Sequence, residues 1–421
     1  MNMFPKTKDS IQKIVVDNSD KKLIILEHCT GLGKSFSALK ILHKHAPKKV
    51  LLLVAENHHK ENWASEIDKF YSMYNINLLS NIEIVIECYA SMKNYTDTTW
   101  DILIMDEAHH LSELRLDFLR TIKADKYIAL SATFEYRDIL NIQNITGVYW
   151  ENTYKSTITL KEAISWGVIP EPDIYLIPLE LDKHRVTETI VEEWGNKKLL
   201  REVTTTYDRM WDYKRNKKMF PNIRLIIKCT QEQKHQYYVN NIEYWKNKFM
   251  STYQPWAKNK LLQLGVQRKR FLGEIKTKYV KSLLNYLKDK RYICYCASIE
   301  QANMLGGGKA IHSKNKDNAS IFKDFQEGKI DHIFAVGMLT EGQNLKDIEV
   351  GIIVQLDGKE RPFVQKSGRI LRSESPQQYI FYYKGTRDEE YLHNILEGID
   401  SNYVSTIENF RYFVLDENND R

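Results

Sequence analysis

The chain has 421 residues, 43 % hydrophobic and 28 % charged, an ordinary globular composition with enough apolar material for two or three domains. No run of eighteen apolar residues occurs, and Met1-Asn2-Met3-Phe4-Pro5-Lys6 lacks a signal-peptide core. A membrane span and a secretory leader are therefore not expected, and a cytoplasmic location is. The net charge of +6 is unevenly spread: from Thr205 to Leu272 fifteen Lys and Arg stand against four acids, a local +11 that leaves −5 elsewhere. Concentrated charge of that kind is the footprint of a polyanion binder.

Residues 1–22 are polar with one helical patch, Ile11 to Val16. Leu23 to Ser35 reads as a buried strand, a tight glycine turn and the start of a helix, which continues to His45. Val50 to Ala55 is a fully apolar strand, as parallel sheets require, and Asn57 to Phe70 a helix. Further strands are expected at Ile82–Ile86, Asp101–Met105 and Tyr127–Leu130. This rhythm predicts a doubly wound α/β sheet, whose sites lie beyond the carboxyl ends of its strands. Four polar clusters fall there: 30–35, 55–57, 106–109 and 131–133.

Turn residues Gly167, Pro170, Pro172 and Pro178 mark 150–182 as a transition, with Asp173–Ile177 a strand leading to a second lobe. From about 183 to 275 the pattern reads as helical, basic and aromatic. The α/β rhythm then resumes, with helices at 276–287 and 298–305 and strands at 292–296, 330–336, 350–356 and 379–383. The expected fold is α/β, with two tandem parallel-sheet domains (1–180 and 276–421) flanking a basic, mainly helical insertion (181–275). The five cysteines (29, 88, 229, 294, 296) show no zinc spacing and read as reduced thiols.

The stretch Thr30-Gly31-Leu32-Gly33-Lys34-Ser35 suits a phosphate cradle. Glycines let backbone N–H groups approach phosphate oxygens, and the new helix aims its positive end there. Lys34 reaches the β- and γ-phosphates and the Ser35 hydroxyl ligates Mg²⁺. His28 stands where this pattern opens with Gly or Ala. A chance Gly-Lys-Ser at a helix start is the alternative. Asp106 and Glu107 end a strand about seventy residues on. There an aspartate can hold Mg²⁺ through water, and a glutamate can take the proton of an attacking water. A chance acidic pair is the plain reading. Lys214, Arg215, Lys217 and Lys218 form the densest basic run of the insertion, with rings such as Tyr207, Trp211 and Tyr213 interleaved. Cations neutralise phosphates and rings stack on unpaired bases, although rings also build cores.

Asp106-Glu107-Ala108-His109 resembles the DEAH box of superfamily 2 helicases and translocases, and 30–35 resembles their first motif. Ser131-Ala132-Thr133 is similar to the third motif, and implies that His109, Ser131 and Thr133 couple nucleotide state to domain movement. Val336 to Leu345, with Thr340 and Gly342, resembles the fifth motif. Gln365-Lys366-Ser367-Gly368-Arg369-Ile370-Leu371-Arg372 resembles the sixth. Arg369 and Arg372, supplied across a cleft, would neutralise charge developing on the γ-phosphate and make hydrolysis depend on closure. Weaker matches imply strand contacts by Glu56, Asn57, Tyr89, Ser298 and His312, with the usual proline missing near Asn57, and by Thr340. Gln12 is the candidate adenine reader, at short spacing.

The resemblance implies two RecA-like domains, ATP and Mg²⁺ as cofactors, and single-stranded or branched DNA as partner. Compact viral helicases that remodel forks or branched DNA look similar, which implies replication or recombination proteins as further partners. A duplex translocase without strand separation, an RNA helicase and a nucleotide-gated clamp are the alternatives. RNA-type sixth motifs carry a second glycine where Leu371 stands.

Overall fold

A computed structural model describes residues 7–111, 113–337, 348–356, 373, 375–397 and 399–410. The chain opens with α1 (Lys8–Asp17), capped by Thr7 and Ser10 in a reciprocal pair of side-chain bonds. β1 (Leu23–His28) leads through the glycine turn into α2 (Lys34–His45), followed by β2 (Lys49–Val54) and α3 (Asn57–Tyr74). Next come β3 (Glu83–Cys88), β4 (Thr99–Met105), α4 (Glu113–Leu119), β5 (Lys123–Ser131), α5 (Tyr136–Thr146), β6 (Thr153–Ile158) and α6 (Leu160–Ser165).

Among the described residues, six strands pair in parallel in the order β3-β2-β4-β5-β1-β6. Successive side chains of a strand face opposite ways, so each strand feeds two cores. Leu23, Ile25, Leu51, Leu53, Leu103 and Met105 pack on one face. Ile24, Leu26, Val50, Leu52, Ile102 and Ile104 pack on the other, beneath α2 and α3. Both faces are covered, which is why these strands read as unbroken apolar runs.

β7 (Asp173–Leu179) then leaves this sheet for a second one. It is followed by β8 (Glu188–Trp194), β9 (Arg201–Thr206), α7 (Met210–Arg215) and β10 (Ile223–Cys229). The helical pattern expected from 183 onward is corrected here: this part is a three-stranded sheet in the order β8-β10-β9. Ile223, Leu225, Ile227 and Cys229 alternate with Arg224 and Lys228, a period of two that the dense charge and rings of the region obscured. Helix dominates only from α8 (Gln231–Thr252) and α9 (Pro255–Glu274).

The rest is α10 (Thr277–Tyr286), β11 (Tyr292–Tyr295), α11 (Ile299–Gly306), β12 (Ala310–Ile311), α12 (Asn318–Gln326), β13 (His332–Ala335), β14 (Val350–Ile353), β15 (Gln377–Tyr383), α13 (Arg387–Leu396) and β16 (Val404–Thr406). With β7 these strands form a second parallel sheet, β12-β13-β11-β14-β15-β7-β16, among the described residues. Two parallel α/β sheets in tandem, resembling RecA-like helicase domains, are thus the architecture the sequence predicts. No described helix is long and apolar enough to cross a membrane.

Candidate nucleotide-binding site

The strand order places the chemistry. β5 lies between β1 and β4, with Glu27 opposite Ser131 and Met105 opposite Ala129. The carboxyl ends of β1, β5 and β4 therefore share one sheet edge, about 10 Å across at the usual strand spacing. Residues 29–33, Ser131 and Asp106-Glu107 all emerge there.

Gly31 and Gly33 have φ of +95° and +80°, a region L side chains rarely adopt. A Cβ at Gly33 would also stand 2.6 Å from Gln12 Nε2, so the buried Gln12 of α1 lies against the loop itself. Gly33 caps α2 without a side chain, leaving the first N–H groups of that helix at the turn. Lys34 Nζ donates to the His28 carbonyl at 2.9 Å. His28 is fully buried, with Nε2 2.8 Å from Ser156 Oγ, and burial, aided by the Lys34 charge, pushes its pKa down to about 3. The unusual residue is thus neutral and adds no charge to the cradle. Burial raises the Cys29 thiol to about 12, so it too stays uncharged.

Asp106 is oriented from two sides. Trp63 Nε1 donates to its Oδ2 at 2.7 Å, and the Tyr89 hydroxyl donates to its backbone carbonyl at 2.9 Å. Its other oxygen, Oδ1, accepts from Glu107 N at 3.0 Å. Glu107 itself sits in the left-handed region, φ 47° and ψ 51°, a strained conformation of the kind that clusters at functional sites. His109 Nδ1 lies 2.9 Å from Ser131 Oγ and 3.4 Å from Glu107 Oε2. Ser131 Oγ donates to the Thr133 carbonyl at 2.7 Å. That hydroxyl proton being committed, Nδ1 carries the hydrogen in the His109–Ser131 bond. His109, Ser131 and Thr133 form one hydrogen-bonded run, and Glu107 Oε2 lies in contact with its His109 end.

These residues fit a nucleotide and its metal: a turn whose two glycines both sit at positive φ, a lysine on a single neutral acceptor, a hydroxyl at Ser35, and an aspartate held in place. Lys34 and the turn would hold the phosphates, and Ser35 and Asp106 the Mg²⁺. Among the described residues no group of three His, Cys, Asp or Glu is placed to hold a metal ion.

Residues 1–136 match the family described as Type III restriction enzyme, res subunit, and residues 275–374 match the Helicase conserved C-terminal domain. Together these two matches support a superfamily 2 helicase. They support an ATP-dependent nucleic-acid motor, with hydrolysis as its enzymatic activity. Saccharomyces cerevisiae Dbp5 bound to RNA and ADP BeF3 is similar in structure, with TM-score 0.57 and 12 % identity over 97 % of this chain and 91 % of that one. The ATP-dependent Type ISP restriction-modification enzyme LlaBIII bound to DNA is similar over 99 % of this chain and 32 % of that one (TM-score 0.50, 12 % identity). At such identities the likeness is one of fold. No curated protein matches the chain by sequence.

The helicase-type strand contacts are dispersed. Glu56 and Asn57 are exposed at the start of α3, Glu56 paired with His58 at 3.3 Å and Asn57 Oδ1 accepting from Cys88 Sγ. Tyr89 is 2 % exposed and sits in the core under Asp106, so the reading of it as a surface contact is corrected to a support. Ser298 and His312 are also buried: Ser298 caps α11, and His312 accepts from Lys314 N through Nδ1 and so donates to Asn303 through Nε2. Lys214 is tied to Glu192 at 2.6 Å and lies over the Trp211 ring, and Lys217 lies over Trp194. Arg215 and Lys218 are exposed. Thr340, Gly342, Gln365, Arg369 and Arg372 lie outside the described residues. Trp63 is a support of Asp106 that sequence reasoning missed. Its place beside Asn62 suggests a strand contact, and no local signal announces an indole N–H aimed at an aspartate forty-three positions away.

Proposed function

We propose that the chain is a DEAH-box-type motor that hydrolyses ATP with Mg²⁺ to move along, unwind or remodel DNA. The observation that carries this reading is the hydrogen-bonded run His109–Ser131–Thr133 with Glu107 in contact with its His109 end, on the same sheet edge as the phosphate loop. Bound ATP and Mg²⁺ supply the γ-phosphoryl bond and the Lewis acid that polarises it. Lys34 exchanges its His28 carbonyl for phosphate oxygens. Trp63 and Tyr89 keep Asp106 turned to the metal side. Glu107 accepts the proton of the attacking water. His109 passes any shift of Glu107 to Ser131, and so to the Thr133 backbone. Gln12 serves the base, and Gly342, Gln365, Arg369 and Arg372 close from the second lobe.

DNA is favoured over RNA by Leu371 in the sixth motif and by the family match to a restriction-enzyme subunit. That same match favours, as a second reading, a duplex translocase without strand separation. ATPase rates with single-stranded DNA, duplex, fork, four-way junction and RNA separate the readings. Stimulation by DNA, abolished by Glu107→Gln, is the expected result. A rate that no nucleic acid raises refutes the motor.

A further inference from the structure

The longest helices lie outside both parallel sheets. α8 and α9, twenty-two and twenty residues, are joined through Tyr253 and Gln254 alone. At 1.5 Å per residue they form a hairpin about 30 Å long. Its base is anchored by buried His235, Leu264, Phe271 and Leu272. Tyr237 and Tyr238 extend that anchor, packing on the three-stranded sheet and on Phe271; in the outer part beyond them, among the described residues from Val239 to Gln263, Ala257 alone is buried.

Rings hold that outer part. Trp245 meets Tyr244 edge to face at 5.4 Å and Trp256 at 5.6 Å, and Phe249 meets Tyr253 at 6.1 Å. Lys248 Nζ lies 4.9 Å from the Trp256 ring centre and 5.3 Å from that of Trp245. Yet the rings are not a core, for Tyr253 is 72 % exposed, Tyr244 56 % and Trp256 49 %. The turn that displays them is fixed. Tyr253 closes α8 in the left-handed region, φ 52°, with its N–H on the Phe249 carbonyl, and Pro255 starts α9. Glycine would take that φ with less strain, so an aromatic ring is retained against backbone preference.

Charge selects the occupant. From Tyr244 to Gly273 there is no acid, and there are seven cations: Lys246, Lys248, Lys258, Lys260, Arg268, Lys269 and Arg270. An apolar protein partner would cover the rings and leave the tip lysines Lys246, Lys258 and Lys260 without opposite charge, whereas Arg270, nearer the base, is already paired with Glu274 and Glu300. A nucleic-acid strand matches both, with bases for the rings and phosphates for the lysines. The bases must be unpaired, because a duplex hides their faces inside its stack.

We infer that the hairpin tip is a stacking site for unpaired nucleobases, with Tyr253 and Trp256 taking the bases and Lys246, Lys258 and Lys260 the backbone. This rests on the nucleic-acid motor reading, and places one strand contact outside the two motor domains.

The test is binding by the full chain, without ATP, of Tyr253→Ala/Trp256→Ala against Tyr253→Phe/Trp256→Phe. The probes are an unpaired oligo-dT, the equivalent oligo-U and a blunt DNA duplex. The alanine pair loses about tenfold or more in affinity for the unpaired strands, keeps its affinity for the duplex, and keeps the wild-type salt slope, since no charge was removed. The phenylalanine pair retains wild-type binding, which shows that the hairpin tolerates substitution and that ring faces are what matter. The ratio of oligo-dT to oligo-U affinity tells which nucleic acid the tip takes. Unchanged binding by the alanine pair, or an equal loss for duplex and unpaired strands, overturns the inference. So does ring-dependent capture of a protein with oligonucleotide affinity unaltered. Because no ATP is present, failure here is distinct from failure of ATPase stimulation, which tests the motor.

Discussion

The carboxyl edges of the two parallel sheets are built from similar residues and do opposite things. At the first, Lys34 rests on one neutral carbonyl and Asp106 is braced by an indole. At the second, Lys276 is wholly buried and bonded to the Val354 carbonyl, Gln355 Oε1 and Asp388 Oδ2, at 2.9, 3.2 and 2.6 Å. Gln355 Nε2 and the Tyr383 N–H fill the remaining Asp388 acceptors. Burial pulls the Lys276 pKa down and Asp388 pushes it back up. A lysine on one exchangeable acceptor can change partners within a catalytic cycle, whereas one with three dry acceptors cannot. The contrast teaches that a lysine at a strand end is available to a ligand only where its own bonding is left incomplete.

The largest expected effect tests the closed network. Asp388→Ala strands the Lys276 ammonium in a dry core, and removing one partner of a buried pair costs about 3–5 kcal/mol. Urea denaturation followed by a probe in the second domain should show a loss of that size. The joint change Lys276→Met/Asp388→Leu should cost less than the single one, because no charge is then left unpaired. A loss below about 1 kcal/mol for Asp388→Ala would mean that water reaches the pair, and that the two edges differ less than described.

The two edges were unequally legible. Phosphates demand glycines, a lysine and a hydroxyl in consecutive positions, so 30–35 is a local pattern, and apolar strands ending in 106–109 and 131–133 located its partners. The alternation of strand and helix predicted parallel strands whose carboxyl ends share an edge, but the order β3-β2-β4-β5-β1-β6 was not legible in it. Nothing local marks Lys276, Gln355 and Asp388, which are common residue types far apart in the chain. Tyr89 shows the converse failure. A motif-like position suggested a surface contact, but the ring is consumed by packing and its hydroxyl by a carbonyl. In 188–229, period-two alternation was present, and a window dominated by cations and rings hid it.

His28 is a fully buried group at the open edge. The unfolded chain protonates it near pH 6.5, whereas the folded chain does so only at about pH 3. Between those values the unfolded state binds more protons, so this group makes stability rise with pH and fall on acidification through that window. Each pH unit there is worth on the order of 1 kcal/mol. His28→Gln, which keeps a polar group near Ser156, should flatten the acid limb between pH 6 and 4 relative to the parent chain. Parallel limbs would show that water already reaches the imidazole.

Trp63 gives the smallest and most selective effect. Trp63→Phe keeps a ring in a site that is 2 % exposed, and deletes the N–H that meets Asp106 Oδ2. A hydrogen bond to a charged acceptor is worth about 1.5–3 kcal/mol, and released Asp106 recovers part of it from solvent. The remainder, about 1 kcal/mol, is roughly fivefold in an apparent affinity. Because the bond orients a carboxylate rather than supplying a proton, the loss should fall on the Mg²⁺ concentration needed for half-maximal ATPase. The pH profile, set by Glu107 in the proposed mechanism, should stay where it is. If kcat falls with an unchanged Mg²⁺ dependence, the indole acts through packing of α3 on the sheet. In that case Asp106 would be as self-sufficient as the ion pair of the second edge, and the first edge would be less open than its bonding indicates.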